Sequence, residues 1–245
     1  MTHCVNHSQC PECAKKGKDR HGNNLAIYSD NSMYCFSCGY FMLPLSKQRF
    51  KNLSRQELPR ILLPPDIMET LPERIIRTYL QQYGITNEDI KTHHIMWSNY
   101  YQRIYFPIFS SEGLIAYVGR YCGEDSSNPK WYTQGNLKNI IHIIGQSWPT
   151  TLVLTEDIIS AIRVTHTNVK AMPIFGSYVS NLTWLRLKLI PNIDKIILWL
   201  DRDKKKESLI YAQQGRQLNL PVTIINTKED PKALEEEEIK KLLDK

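Results

Sequence analysis

From Thr151 onward the chain alternates short apolar runs with longer amphipathic ones, and this alternation limits its fold more than any other feature. "TTLVLTE", "KAMPIFG", "KIILWLD" and "PVTIIN" read as strands. "DIISAIRVTHT", "YVSNLTWLRLKL", "ESLIYAQQGRQL" and "ALEEEEIKKLLDK" read as helices, the acidic run 235–238 being a solvated helix face. Strands apolar at nearly every position suit burial on both faces. Their alternation with helices predicts an α/β fold built on a parallel sheet with helices on each side.

Ligands of such a sheet sit beyond the carboxyl ends of its strands. Three strands here end in acids. Glu156 closes "LVLTE", Asp201 closes "ILWLD" with Asp203 two residues on, and Asp230 follows "TIIN". Oxygen donors without thiolate or imidazole suit Mg²⁺ or Mn²⁺ rather than zinc. Asp157 has a plainer role open to it, at the N-terminus of the helix that follows. The lysines after Asp203, Lys204 first among them, read as a solvated cluster or as a phosphate contact.

The first 45 residues have no long apolar periodicity and cannot build an ordinary core, so they need a staple. "CPEC" carries Cys10 and Cys13, and "CFSC" carries Cys35 and Cys38. Two Cys-x-x-Cys knuckles let four thiolates converge tetrahedrally on one structural Zn²⁺, whose binding supplies folding energy. "CVNHSQC" adds Cys4 and His7, which leaves a set of Cys4, His7, Cys35 and Cys38 as an alternative, or a second partial site. Cys122 reads as a core thiol.

Residues 1–60 hold nine Lys/Arg against four Asp/Glu, a balance that suits a polyanion such as nucleic acid. Charge and three prolines make 46–66 a linker, "SKQRFKNLSRQELPR" closing with "LLPPD". Beyond it, "TLPERIIRTYLQQYGIT" predicts a helix capped by Thr70 and ended by Gly84, and "NEDIKTHHI" a shorter one. "RIYFPIFSSEGLIAYVGRYC" predicts two strands joined at "SSEG", "PKWYTQGN" a loop, and 140–144 a short apolar element. No apolar run nears the roughly 20 residues that span a bilayer, and no secretory leader is evident, so a cytoplasmic protein with reduced thiols and no membrane partner is expected. The domains are thus expected at 1–45 (zinc ribbon), 46–66 (linker), 67–148 and 149–245.

The order of these motifs resembles the DnaG-type DNA primases, and most of all the primase half of bacteriophage primase–helicases. The likeness rests on the zinc ribbon, "YGITNEDIKTHHI", "RIYFPIFSSEGLIAYVGR", "NPKWY" and a toprim-like "LVLTEDIISAI…WLDRD". It implies a metal-dependent nucleotidyltransferase, a DNA-directed RNA polymerase that joins ribonucleoside triphosphates on a single-stranded DNA template. Glu156, Asp201 and Asp203, with Asp230 a looser match, would hold the catalytic Mg²⁺ or Mn²⁺. Gly119-Arg120 and Pro129-Lys130-Trp131 match the family's basic motifs, while Arg103 and Lys138 are candidates for the same template- or nucleotide-facing surface. The zinc module would read template bases, with Tyr28, Tyr34, Phe36, Tyr40 and Phe41 available for stacking.

The sequence departs from the family pattern in two places. The family has glycine after its first acid, where this chain has Asp157, whose bulk and charge bear on metal affinity. That leaves open a catalytically degraded protein that binds single-stranded DNA or scaffolds replication, with a toprim nuclease a poorer fit. No GxxxxGK[ST] occurs before Lys245, so the expected replicative helicase partner is a separate polypeptide, in the host cytoplasm if the protein is phage-encoded.

Overall fold

A computed structural model describes residues 3–19, 21–29, 32–42, 61–110, 113–135, 137, 140–145 and 150–244. Lys138, the linker over 46–60, the tip of "SSEG" and the side chain of Phe41 lie outside the described residues. The chain forms two compact units, 1–59 and 60–245.

In the first unit, β1 (Cys4–Ser8), β2 (Leu25–Tyr28), β3 (Met33–Cys35) and β4 (Phe41–Met42) form one antiparallel sheet in chain order. A single helical turn, α1 (Pro11–Lys15), follows Cys10. The buried cluster of this unit is Cys10, Cys13, Leu25 and Cys35, with Met33 and Tyr40 packed on it. Three of its four fully buried members are thiols, so the apolar effect alone contributes little here.

The second unit carries two sheets. β5 (Ile67–Met68), β6 (Met96–Ser98), β7 (Arg103–Ser110), β8 (Gly113–Tyr121) and β9 (Trp131–Gly135) form an antiparallel sheet in chain order. Trp131–Gly135 was expected as a loop. Its five residues instead pair with Ala116–Arg120, giving an edge strand whose exposed side chains carry no apolar signal. The helix expected from Thr70 also differs. Leu71 precedes a proline and is biased away from helical dihedrals, so the helix starts after Pro72. It runs as α2 (Glu73–Ile75), a π turn (Ile76–Leu80) and a 3₁₀ turn (Gln81–Tyr83). The next helix, α3 (Asn87–Thr92), opens with a full capping box between Thr86 and Asp89.

The predicted parallel sheet is present, in the order β11-β10-β12-β13: β10 (Thr151–Thr155), β11 (Lys170–Pro173), β12 (Lys195–Trp199) and β13 (Val222–Ile224). Its connecting helices are α4 (Ile158–Thr165), α5 (Asn181–Lys188) and α6 (Lys205–Gln217), and α7 (Glu236–Leu243) ends the chain. Alternate residues of each strand serve opposite faces. Val153 and Ile197 join Ile159, Ile162 and Ile239 in one core. Leu152, Leu154, Ile196 and Leu198 join Trp184, Leu187 and Ala212 in the other. Ile144 lies against the outer edge through an antiparallel bridge to Ala171.

The first of these cores also takes in Leu71, Ile75, Leu80, Ile95, Trp97, Ile104 and Phe106, so it binds the antiparallel half of this unit to the parallel half. Gly84 marks the seam. It ends the 3₁₀ turn with φ 69°, and a Cβ there would stand 2.7 Å from Arg163 Nη1. Arg163 is buried, its Nε and Nη2 donating to the Leu234 carbonyl at 3.3 and 3.2 Å. Gly84→Ala therefore combines left-handed backbone strain with displacement of a buried guanidinium, and is expected to cost about 1–2 kcal/mol. Thermal unfolding checks this, and an unchanged midpoint would show that the seam relaxes freely.

Candidate metal centre and acidic cleft

The four knuckle cysteines come together in the first unit: their sulfurs all lie within 4.8 Å of one another. The Cys10 and Cys38 sulfurs lie 3.6 Å apart and those of Cys13 and Cys35 3.7 Å apart. A tetrahedral zinc with bonds of about 2.3 Å sets sulfur–sulfur edges of about 3.8 Å, so the cluster can hold a zinc ion. Burial pushes the Cys35 thiol up, but the Cys38 and Ser37 backbone N–H groups and the neighbouring thiols outweigh it and bring it to about 7. Asp19, which drew no notice in the sequence, is buried beside the first knuckle. Its Oδ2 accepts the Cys10 N–H at 2.6 Å and its Oδ1 the Asn23 N–H at 3.2 Å. Cys4 and His7 lie on β1 outside the cluster, with the Cys4 thiol exposed. Of the aromatic candidates, Tyr34 and Phe36 form an exposed edge-to-face pair at 5.1 Å, while Tyr40 packs on the cysteines and Tyr28 is half-buried.

In the second unit, a cleft of about 370 Å³ opens at the carboxyl ends of β10 and β12. Glu156, Asp157, Asp201, Asp230, Lys130 and Lys232 line it, with Trp131 and Phe175 among its apolar walls. The parallel register sets Thr155 beside Trp199, so the residues just past each strand end face one another. Glu156 Oε1 accepts the Asp201 N–H at 3.0 Å. Asp230 is carried in by the segment after β13, which is pinned where Trp199 Nε1 donates to Thr227 Oγ1 at 2.8 Å.

Burial pushes the Glu156 carboxyl up to about 7; the Asp201 N–H opposes this, and the charges of Asp201 and Asp203 add to it. Burial and the charge of Asp230 push Asp201 up to about 6, against the pull of Lys232. Two carboxyls raised first by burial and then by neighbouring acids gain from a bound cation. Their oxygen donors, without thiolate or imidazole, fit a hard divalent ion.

Asp203 projects outward, its side chain 71% exposed and ion-paired to Lys204 at 2.9 Å. Asp157 caps α4: Oδ1 accepts the Ile159 and Ser160 N–H groups, and Oδ2 accepts Ser160 Oγ and Lys232 Nζ, the last at 2.8 Å. Lys232 was not singled out in the sequence. Its Nζ also meets Asp230 Oδ2 at 2.6 Å. Burial works against its charge, but the two carboxylates outweigh that and hold the lysine well above its ordinary range.

The basic candidates separate by face. Arg120 pairs with Trp131 across β8 and β9, its guanidinium 5.4 Å from the ring centroid. Its Nη1 is buried with no hydrogen-bond partner among the described residues. Lys130 is exposed at the cleft. Arg103, expected on a basic surface, is buried at 6% exposure, on the opposite face of the sheet from Arg120 and covered by the rings of Tyr121 and Tyr132. It donates to the Gly119 and Pro129 carbonyls at 3.2 and 2.8 Å, and so positions the Pro129–Lys130 segment.

No protein-family model and no curated protein matches the chain. Solved structures do match. The zinc-binding and RNA polymerase domains of the Aquifex aeolicus primase align at 13% identity over 99% of this chain and 78% of that one, with a TM-score of 0.58. The primase fragment of the bacteriophage T7 primase–helicase aligns at 15% identity over 94% of both chains, and the DnaG catalytic core at 16% over 72% and 68%. Both of these have TM-scores of 0.47, and nothing here rests on them. The chain has a DnaG-type primase fold, a likeness of fold alone at this identity.

Proposed function

We propose that this chain is a DNA primase that builds short RNA primers on single-stranded DNA by metal-dependent nucleotidyl transfer, from ribonucleoside triphosphates. The reading is carried by one observation: on a primase fold, Glu156, Asp201 and Asp230 converge with Lys130 in one cleft at the strand ends. Glu156 and Asp201, with Asp203 close by in the chain, are the residues that would hold Mg²⁺ or Mn²⁺. An ion bound there supplies charge that positions a triphosphate and offsets the charge developing in an in-line displacement.

The chain's own groups do the rest. Lys130 reaches the cleft as a point charge for phosphate oxygens, and Arg120 stands behind it with its guanidinium on the ring of Trp131, which lines the cleft. Arg103 fixes the segment that carries Lys130. In the zinc-held unit, Tyr34 and Phe36 present exposed rings to unpaired bases. Lys138 remains a proposed contact on sequence grounds. A separate replicative helicase is the proposed partner, and the proposed location is the cytoplasm. No helix among the described residues is long and apolar enough to cross a membrane.

A second reading, a template-binding protein without synthesis, draws on the ion pairs that occupy part of the cleft around Lys232. Incubation with varied single-stranded templates, labelled ribonucleotides and Mg²⁺ or Mn²⁺ separates the two. Template-dependent oligoribonucleotides are expected. Tight DNA binding with no product on any template would overturn the primase reading in favour of the second, and cleavage of the DNA would point to a nuclease.

A further inference from the structure

Lys232 pairs directly with two of the four acids that line the cleft. Its Nζ bridges Asp157 and Asp230 at 2.8 and 2.6 Å, with the lysine 18% exposed and the two carboxylates 19% and 32%. The bridge is built into the local fold. Asp230 opens the 3₁₀ turn Pro231–Ala233, whose first residue is a proline of fixed φ, and the turn folds Lys232 back over Asp230.

Asp157 has nothing left to offer a metal. A carboxylate has about four acceptor sites, and here two N–H groups, the Ser160 hydroxyl and Lys232 take them up. An ion placed on Asp230 Oδ2 would stand within direct repulsion of the ammonium already bonded there. Neither Glu156 nor Asp201 is ion-paired to Lys232, although Asp201 feels the charges of both Lys232 and Asp230. Charge balance agrees with the geometry: with an ion bound and all four carboxylates ionised, the two lysines of the cleft leave two negative charges, the charge of one divalent ion before nucleotide enters.

We infer that the cleft takes a single divalent ion, at Glu156 and Asp201, and that Lys232 is a second cation supplied by the protein. Its ammonium lies in the same cleft as the ion site and is placed to bind oxygens of the triphosphate, including those that depart as pyrophosphate. The inference rests on the divalent site of the reading above. It adds the number of ions and the residue that replaces the second.

Counting Mn²⁺ bound to the full-length, zinc-loaded protein by electron paramagnetic resonance tests it. The wild type is expected to bind one Mn²⁺ per chain, absent in Asp201→Asn. Lys232→Met is expected to bind two, the added ion lost again in Lys232→Met/Asp230→Asn. Lys232→Arg, which keeps the charge, is expected to bind one. Two tight ions in the wild type would overturn the inference and leave the divalent site standing, and that count needs no variant to fold. One ion in a Lys232→Met protein with wild-type circular dichroism would overturn it in the same way. No bound Mn²⁺ in the wild type would remove the divalent site itself, and the inference with it.

Discussion

Asp201→Asn is expected to abolish template-directed synthesis and, in the absence of divalent ions, to unfold at a higher temperature than the wild type at pH 7.5. The loss of activity follows from the lost ligand: one charged group at a centre that stabilises developing charge is worth about 10²–10³-fold or more in rate. The gain in stability follows from the strain on the acid. Its carboxyl stands at about 6 instead of the ordinary 3.8. Between those values the folded chain binds more protons than the unfolded one, so wild-type stability falls as pH rises from about 4 to 6. Above pH 6 the full penalty is present. Asp201 is half-exposed and water screens it, so about 1 kcal/mol is expected rather than the nominal 3. Asparagine removes the charge, and the gap between variant and wild type should open across that pH range. Added Mg²⁺ should reverse the order, because it stabilises only the chain that binds it. A variant less stable than the wild type at pH 7.5 without metal would show that the acid is not strained.

How much of this was readable in the sequence depends on where the physical signal lay. The four parallel strands were plain because burial on both faces demands apolar residues at every position, as in Leu152, Val153 and Leu154. The meeting of Glu156 and Asp201 past the strand ends was plain because a parallel register sets neighbouring strand ends side by side. β9 was hidden: it is an edge strand whose residues mostly face solvent, so its pairing with β8 left no mark on the sequence. Arg103 and Arg120 look alike in a list of basic residues. They differ in register, since Arg120 lies opposite Ile104 and Arg103 opposite Tyr121, and the pleat sends them to opposite faces.

Lys232 and Asp19 were hidden for another reason. Each is a single charged residue in a polar stretch, which ordinarily means a solvated side chain. Only the fold brings Lys232 to Asp157, 75 positions away. The sequence left Asp157 two roles, the N-terminus of the next helix or a charge bearing on metal affinity. In place it is the helix cap, and its charge is met by Lys232.

Removing zinc is expected to unfold the first unit and leave the second folded. Among the described residues, the fully buried cluster of the unit 1–59 has one aliphatic side chain, Leu25, against three thiols. Burying one leucine contributes about 2 kcal/mol, while ordering several dozen residues costs roughly 1–2 kcal/mol each before compensation by hydrogen bonds. Structural zinc supplies about 10–16 kcal/mol of apparent binding free energy at neutral pH, enough to decide the balance. Without it, Cys10, Cys13 and Cys35 are buried thiols left with backbone N–H groups and one another, and the Asp19 contact to the Cys10 N–H has no metal-held knuckle to brace. The second unit keeps its two large cores, which contain no cysteine from the knuckles. Hydrogen exchange on chelator-treated protein and on Cys13→Ser reads both units at once. Amides of β2 and β3 should lose protection by several orders of magnitude, while those of β10 and β12 keep theirs. Metal analysis of the untreated protein should return one zinc per chain. Protection of β2 and β3 that survives complete metal removal would mean that the unit is held by something other than the ion, and the tetrahedral spacing of its sulfurs would then have no energetic role.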